Sequence, residues 1–198
     1  MSRKRHQQID SIKAALGRRN LAFVGMMGSG KTAIGRLVAE DLQLPFFDSD
    51  TEICAASGLT IPEIFERFGE DYFRAGEKRV IARLLAQGPS VISLGGGAFL
   101  AGETRDLIAS NGISCWLMAD PDLLLSRVGR RPGTRPLLQT AEPRKTLVDL
   151  LAKREPVYRL ANLHIVSSKI SKRHTGDAVL AALADWLERQ PMPAATAG

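Results

Sequence analysis

Cysteine is nearly missing from this chain: among 198 residues only Cys54 and Cys115 occur, far apart and each in a largely apolar neighbourhood. Such scarcity argues against a disulfide framework or a cysteine-based metal site. Also missing is any stretch near the roughly eighteen apolar residues of a membrane span, and the first residues lack the apolar core of a secretion signal. We therefore expect a soluble, unexported protein of the reducing cytoplasm, with no membrane partner. The three histidines, His6, His164 and His174, fall in no catalytic pattern. There is no internal repeat.

Acidic charge is scarce at the start of the chain. Residues 1–19 carry Arg3, Lys4, Arg5, Lys13, Arg18 and Arg19 against Asp10 alone, so they hold nearly all of the formal charge of +6 and the body is close to neutral. A basic run at a terminus is usually a solvated, frayed tail. Residues 1–19 are accordingly expected to be a basic extension, part helical or disordered, with no nucleic acid as partner.

What is present is a phosphate-cradling loop. Gly25-Met26-Met27-Gly28-Ser29-Gly30-Lys31-Thr32 fills every fixed position of G-x-x-x-x-G-K-[ST]. Upstream, Leu21 to Val24 is a short apolar run of strand type; downstream, Ile34, Leu37, Val38 and Leu42 recur at helical spacing. Glycines allow successive N–H groups to converge on phosphate oxygens at the positive end of the following helix. Lys31 then reaches the β- and γ-phosphates, and Thr32 offers a hydroxyl to a hydrated Mg²⁺ bridging them. Gly28, Ser29, Gly30, Lys31, Thr32 and Ala33 are thus the candidates to bind a nucleoside triphosphate, with Mg²⁺ as cofactor.

Further strand candidates are Pro45 to Phe47, Ser90 to Leu94, Ile113 to Met118 and Leu163 to Val166, with helical patterns between most of them. Alternation of this kind predicts an α/β fold, a parallel sheet covered on both faces, in one domain over residues 20–189. Ligands then bind beyond the carboxyl ends of the strands, where Asp48-Ser49-Asp50, Gly95-Gly96-Gly97 and Asp120 fall. Residues 51–89 read as mostly helical, with a capping box at Thr60 and Glu63 and Pro62 in the first turn, and suggest an inserted flap. Gly129 to Pro136, rich in Gly, Pro and Arg, reads as a mobile lid, and residues 190–198 as a disordered tail.

Switch-type GTP-binding proteins usually add N-K-x-D, but Asn20, Asn111 and Asn162 are followed by Leu, Gly and Leu. Small-metabolite kinases remain. Read together, Gly25 to Gly35, Phe47 to Asp50, the F-R-x-x-E set of Phe73, Arg74 and Glu77, Ser93 to Gly97, Arg135 to Leu138 and Val157 to Arg159 closely resemble the shikimate kinase family. The resemblance covers nearly all of Leu21 to Leu187.

This resemblance implies a P-loop NTPase fold of the nucleoside-monophosphate-kinase type: a five-stranded parallel sheet with flanking helices, a helical substrate-binding insertion and a lid. It also implies transfer of the γ-phosphate of ATP to the 3-hydroxyl of shikimate by a monomer, in the route to chorismate and aromatic amino acids. Under it Asp48, with Thr32, holds Mg²⁺; the other reading of Asp48 is a loop carboxylate satisfying backbone amides. Asp50 orients the attacking hydroxyl and accepts its proton, or caps the helix that follows. Lys31 and Arg135 act on the phosphates, Arg135 from the lid. Arg127, with Arg130 and Arg131 close by, is the candidate to stack on adenine. Arg74 and Arg159 match the arginines that grip the shikimate carboxylate, where a guanidinium can make two parallel bonds. Gly95, Gly96 and Gly97 match the turn that meets the substrate ring. Phe65 and Phe73 either wall the pocket or belong to the core. A related kinase acting on gluconate is the nearest alternative, and an ATP-binding regulator that docks nucleic acid through its basic tail is a remoter one.

Overall fold

Side chains alternate faces along a strand, and β1 (Asn20–Val24) shows the result when both faces are covered: all five of its residues are buried. Leu21 and Phe23 join one apolar cluster, Ala22 and Val24 the other. The computed structural model describes residues 3–128, 142–167 and 171–190. β1 lies at the centre of a parallel sheet in the order β2-β3-β1-β4-β5, with β2 at Phe46–Asp48, β3 at Val91–Ser93, β4 at Gly112–Met118 and β5 at Leu163–Val166. Each strand overlaps the apolar run expected from the sequence. In register, Phe23 stands beside Ser93 on one side and Cys115 on the other.

Helices supply the two covers. On one face Val38 of α2 (Lys31–Leu42) and Leu183 of α8 (Lys172–Arg189) pack against Phe23 and Leu117. On the other, Ile81 and Leu84 of α4 (Ile61–Gln87), Ile108 of α5 (Gly102–Asn111) and Leu147 of α7 (Pro143–Tyr158) pack against Val24, Ile92 and Trp116. A short α6 (Pro121–Val128) follows β4. Cys115 is fully buried and burial pushes its thiol pKa far up, so it serves as a small apolar side chain.

The flap expected over residues 51–89 consists of α3 (Ser49–Ser57) and α4. α4 begins with the predicted capping box: the Thr60 N–H donates to Glu63 Oε2 at 2.8 Å, and the Glu63 N–H donates to Thr60 Oγ1 at 3.4 Å. Its axis breaks at Gly69, whose φ of 79° lies outside the helical range.

The N-terminal segment, for which helix and disorder were both open, is packed where a solvated tail was expected. Residues Arg3–Leu16 form a helix, α1. Ile9, Ile12 and Leu16, at spacings of three and four, are buried against α8 and α2. Arg5 donates to Asp41 on α2 (3.2 Å) and Asp177 on α8 (2.7 Å), and Arg173 reaches the same Asp41 at 2.7 Å. The excess of basic residues concealed an apolar stripe, and part of that charge faces buried carboxylate. The expected lid residues 129–136, including Arg130, Arg131 and Arg135, and tail residues 191–198 lie outside the described residues.

Candidate functional site

The loop after β1 ends at Gly30, the N-cap of α2, with a φ of 102° that an L side chain rarely adopts. Lys31 opens α2 and curls back over the loop, its ammonium donating to the carbonyls of Gly25 (2.9 Å) and Met26 (3.0 Å). Ser29, within the loop, is fully buried. Arg127, from the last turn of α6, donates through Nη1 to the carbonyls of Gly28 (3.2 Å) and Ser29 (3.1 Å) and to Ser167 Oγ (3.0 Å). It is thereby tied to the phosphate loop.

The first turn of α2 and the end of β2 bring Thr32 and Asp48 together. Thr32 Oγ1 donates to Asp48 Oδ2 at 2.7 Å and lies 3.4 Å from Ser93 Oγ. Asp48 Oδ1 accepts the Asp50 N–H at 3.2 Å, so Asp48 is the N-cap of α3. The capping role weighed for Asp50 therefore belongs to Asp48, because α3 starts two residues earlier than the sequence suggested. Two hard oxygen donors side by side suit Mg²⁺, which takes few protein ligands and keeps several waters. No cluster of three or more metal-ligating His, Cys, Asp or Glu exists among the described residues, so the donor set fits an ion shared with a phosphate better than one held in a protein cage.

The glycine turn after β3 is shaped by what approaches it. A Cβ on Gly95 would lie 2.7 Å from Asp50 Oδ1 and 2.9 Å from Glu77 Oε1; one on Gly97 would lie 2.8 Å from both terminal nitrogens of Arg74. Ser49 Oγ accepts the Gly95 N–H at 2.9 Å, pinning the turn to the start of α3. Arg74 donates to Glu77 Oε2 at 2.6 Å, and through Nε and Nη2 to Glu70 Oε1 at 3.2 Å. Burial raises the Glu77 carboxyl pKa; Arg74 opposes this, while Asp50 and Glu70 add to it. Desolvation pulls the Arg74 pKa down, but its bonds to Glu77 and Glu70 outweigh that and keep it firmly charged. Glu77 was not among the expected site residues, though its i, i+3 spacing from Arg74 in F-R-x-x-E signalled the pair. Phe73 is buried in the core, with Phe65 against it at 4.7 Å between ring centres.

Arg159, expected beside Arg74, makes its ion pair on its own helix instead. Its side chain is 65% exposed and pairs with Glu155, one turn earlier on α7. A second cation at the glycine turn, besides Arg74, is Arg154, whose Nη1 donates to the Gly96 carbonyl at 3.3 Å; the same carbonyl accepts the buried Tyr158 hydroxyl. The cause is helical geometry: residues four apart share a face, so 154 and 158 look toward Gly96 while 155 and 159 look elsewhere. His164 also has a structural setting, with Nε2 3.1 Å from the Arg159 carbonyl and its ring edge-on to Trp116.

One cavity of about 390 Å³ is lined by Gly28, Gly30, Lys31, Thr32 and Ala33 and equally by Asp48, Asp50, Gly96 and Arg127. The phosphate loop and the carboxylate-and-glycine cluster thus open into a single space. The family model for shikimate kinase matches residues 27–187. A shikimate kinase of Bradyrhizobium diazoefficiens is 58% identical over 159 residues, 80% of this chain and 76% of that one; one of Rhodopseudomonas palustris is 49% identical over 187 residues, 94% and 92% of the two chains. The solved shikimate kinase of Acinetobacter baumannii in complex with shikimate superposes with a TM-score of 0.82 at 38% identity, covering 88% of this chain and 97% of that one. A gluconokinase from Sinorhizobium meliloti 1021, 20% identical with a TM-score of 0.56, shares the fold.

Proposed function

The chain belongs to the shikimate kinase family and is an ATP-dependent kinase that transfers the γ-phosphate to the 3-hydroxyl of shikimate, giving shikimate 3-phosphate; we propose that its residues divide this work as follows. The loop N–H groups and Lys31 hold the β- and γ-phosphates. Thr32 and Asp48 would hold Mg²⁺, which when bound spreads the phosphate charge. Arg127, anchored to the loop carbonyls, offers its planar face to adenine. Asp50 orients the 3-hydroxyl and takes its proton as the new O–P bond forms and the bond to ADP breaks. Arg135 belongs to the lid that covers the phosphates and excludes water.

For the shikimate carboxylate we assign Arg74 and Arg154 in place of Arg74 and Arg159. The two guanidiniums border the same glycine turn, at Gly97 and Gly96. Glu77 positions Arg74 and, beside Asp50, offers a second acceptor near the ring hydroxyls. A monomeric state belongs to the same proposal. No described helix is long and apolar enough to cross a membrane, and the cytoplasmic setting expected from the two free cysteines belongs to the same proposal.

The observation that carries this reading is the single cavity shared by the phosphate loop and the Asp50–Gly96 cluster, since direct phosphoryl transfer needs donor and acceptor in one space. The test is ADP release measured with shikimate, with gluconate and with no acceptor. Release that depends on shikimate is expected; equal or greater release with gluconate would overturn the substrate assignment.

A further inference from the structure

α4 has a second working face. Arg74 and Glu77 point to the glycine turn, whereas Tyr72, Gly76, Arg79 and Arg83 recur at spacings of four, three and four on the opposite side. That side closes a cavity of about 270 Å³ against α3, with an apolar interior of Ile53, Ile64, Phe73 and Val80. None of the residues assigned to the reaction lines it.

Gly76 is otherwise unexplained. Glycine within a helix costs about 1 kcal/mol relative to alanine, and a Cβ at this position would meet nothing within 4 Å, so tight packing does not require it. Its effect is to leave the wall of the cavity open. Of the two guanidiniums at the mouth, Arg83 is committed to Glu52 at 2.8 Å. Arg79 is exposed and has no described hydrogen bond or ion pair among the described residues.

We propose that this cavity binds a small monocyclic carboxylate, its ring against Ile53, Ile64 and Phe73 and its carboxylate on Arg79. The size fits: roughly 150 Å³ of apolar cavity accommodates benzene, and about 270 Å³ leaves room for a short carboxylate arm. The charge fits as well, since a guanidinium beside an apolar pocket selects an anion with an apolar body. An uncharged ring compound would leave Arg79 without a partner.

The experiment titrates 3-phenylpropanoate into the full chain by calorimetry and by NMR, with and without saturating shikimate and ADP. Saturable one-to-one binding is expected, unchanged within about twofold by shikimate and ADP. 3-Phenylpropan-1-ol should bind about tenfold or more weakly, the loss that fits a missing charge-assisted hydrogen bond. Arg79→Ala should weaken 3-phenylpropanoate to a similar degree, and Gly76→Leu should block it, both with shikimate-dependent ADP release within about twofold of the parent. Arg79→Ala changes an exposed side chain and serves as the decisive variant should Gly76→Leu fold poorly. Displacement of the probe by shikimate or ADP, equal binding of the alcohol, or no saturable binding would each overturn the proposal.

Discussion

The Glu77 carboxylate lies 2.6 Å from the Arg74 guanidinium one turn away on α4, yet the partners sit in different media: the Glu77 side chain is 5% exposed and that of Arg74 37%. Glu77 is therefore a buried post that fixes a cation whose working end faces the cleft. Replacing it with glutamine keeps the shape and removes the charge. We expect Glu77→Gln to raise the shikimate KM by about tenfold, or about 1.4 kcal/mol, less than the roughly 2–5 kcal/mol for truncating a desolvated charge pair because glutamine keeps a hydrogen bond to Arg74, with the ATP KM within about twofold. An unchanged shikimate KM would separate Glu77 from substrate binding.

The same pair sets a pH dependence. Burial raises the folded-state pKa of Glu77 above its ordinary 4.5, so the folded protein binds this proton more tightly than the unfolded chain does. The stabilisation is fully present below the unfolded pKa and is lost as pH rises through the folded one. Between those two pKa values, Glu77 makes the parent gain stability as pH falls, while the weakened hold on Arg74 raises the shikimate KM. Denaturation midpoints across this window, compared between the parent and Glu77→Gln, should show that the parent carries this extra slope; parallel curves would contradict it.

Arg154 and Arg159 give opposite expectations. Arg154→Ala should raise the shikimate KM by roughly 30-fold or more, the lower end of the cost of leaving a desolvated carboxylate unpaired. Arg159→Ala breaks an exposed i, i+4 pair with Glu155, a contact worth about 0.3–0.5 kcal/mol, and should leave KM within about twofold. Steady-state kinetics of the two variants decides the matter, and the reverse ranking would restore Arg159 to the clamp.

These two arginines show what the sequence made legible and what it did not. Strand positions followed from short apolar runs, and the phosphate loop from fixed residue types, because both signals are local. The Thr60–Glu63 capping box is local too and formed as read. By contrast, the choice between 154 and 159 depends on how α7 is rotated about its axis, which docking against the glycine turn decides. Asp48 and Asp50 exchanged the capping role through a shift of two residues in a helix start, within the ordinary uncertainty of element boundaries. In α1, net charge overshadowed the stripe of Ile9, Ile12 and Leu16, although their spacing was visible.

Asp48 has two duties that substitution can separate. Its Oδ2 faces Thr32 and its Oδ1 caps α3. Asparagine caps about as well as aspartate, so Asp48→Asn should keep stability within about 0.5 kcal/mol while raising the Mg²⁺ needed for half-maximal turnover by about tenfold or more. Asp48→Ala loses both duties and should cost about 1 kcal/mol of stability besides. Mg²⁺ titration of ADP release, beside urea denaturation, checks both. A Mg²⁺ requirement unmoved in Asp48→Asn would take the carboxylate away from the metal.

α1 should be tested as part of the folding unit. Ile12 is 2% exposed and packs in the cluster that holds Phe23 of β1, Val38 of α2 and Leu183 of α8. Removing a buried side chain of this size to alanine costs about 2–5 kcal/mol, because both transfer energy and packing contacts are lost. Ile12→Ala should therefore lower the urea midpoint of the whole chain in one cooperative transition. Lys13, its neighbour, donates to Gln43 on the surface at 3.1 Å, and Lys13→Ala should cost under about 0.5 kcal/mol. If Ile12→Ala cost no more than Lys13→Ala, α1 would be a passenger on the fold; a large difference makes it a structural cover that the sheet requires, and truncation ahead of β1 would then expose the apolar face of α8.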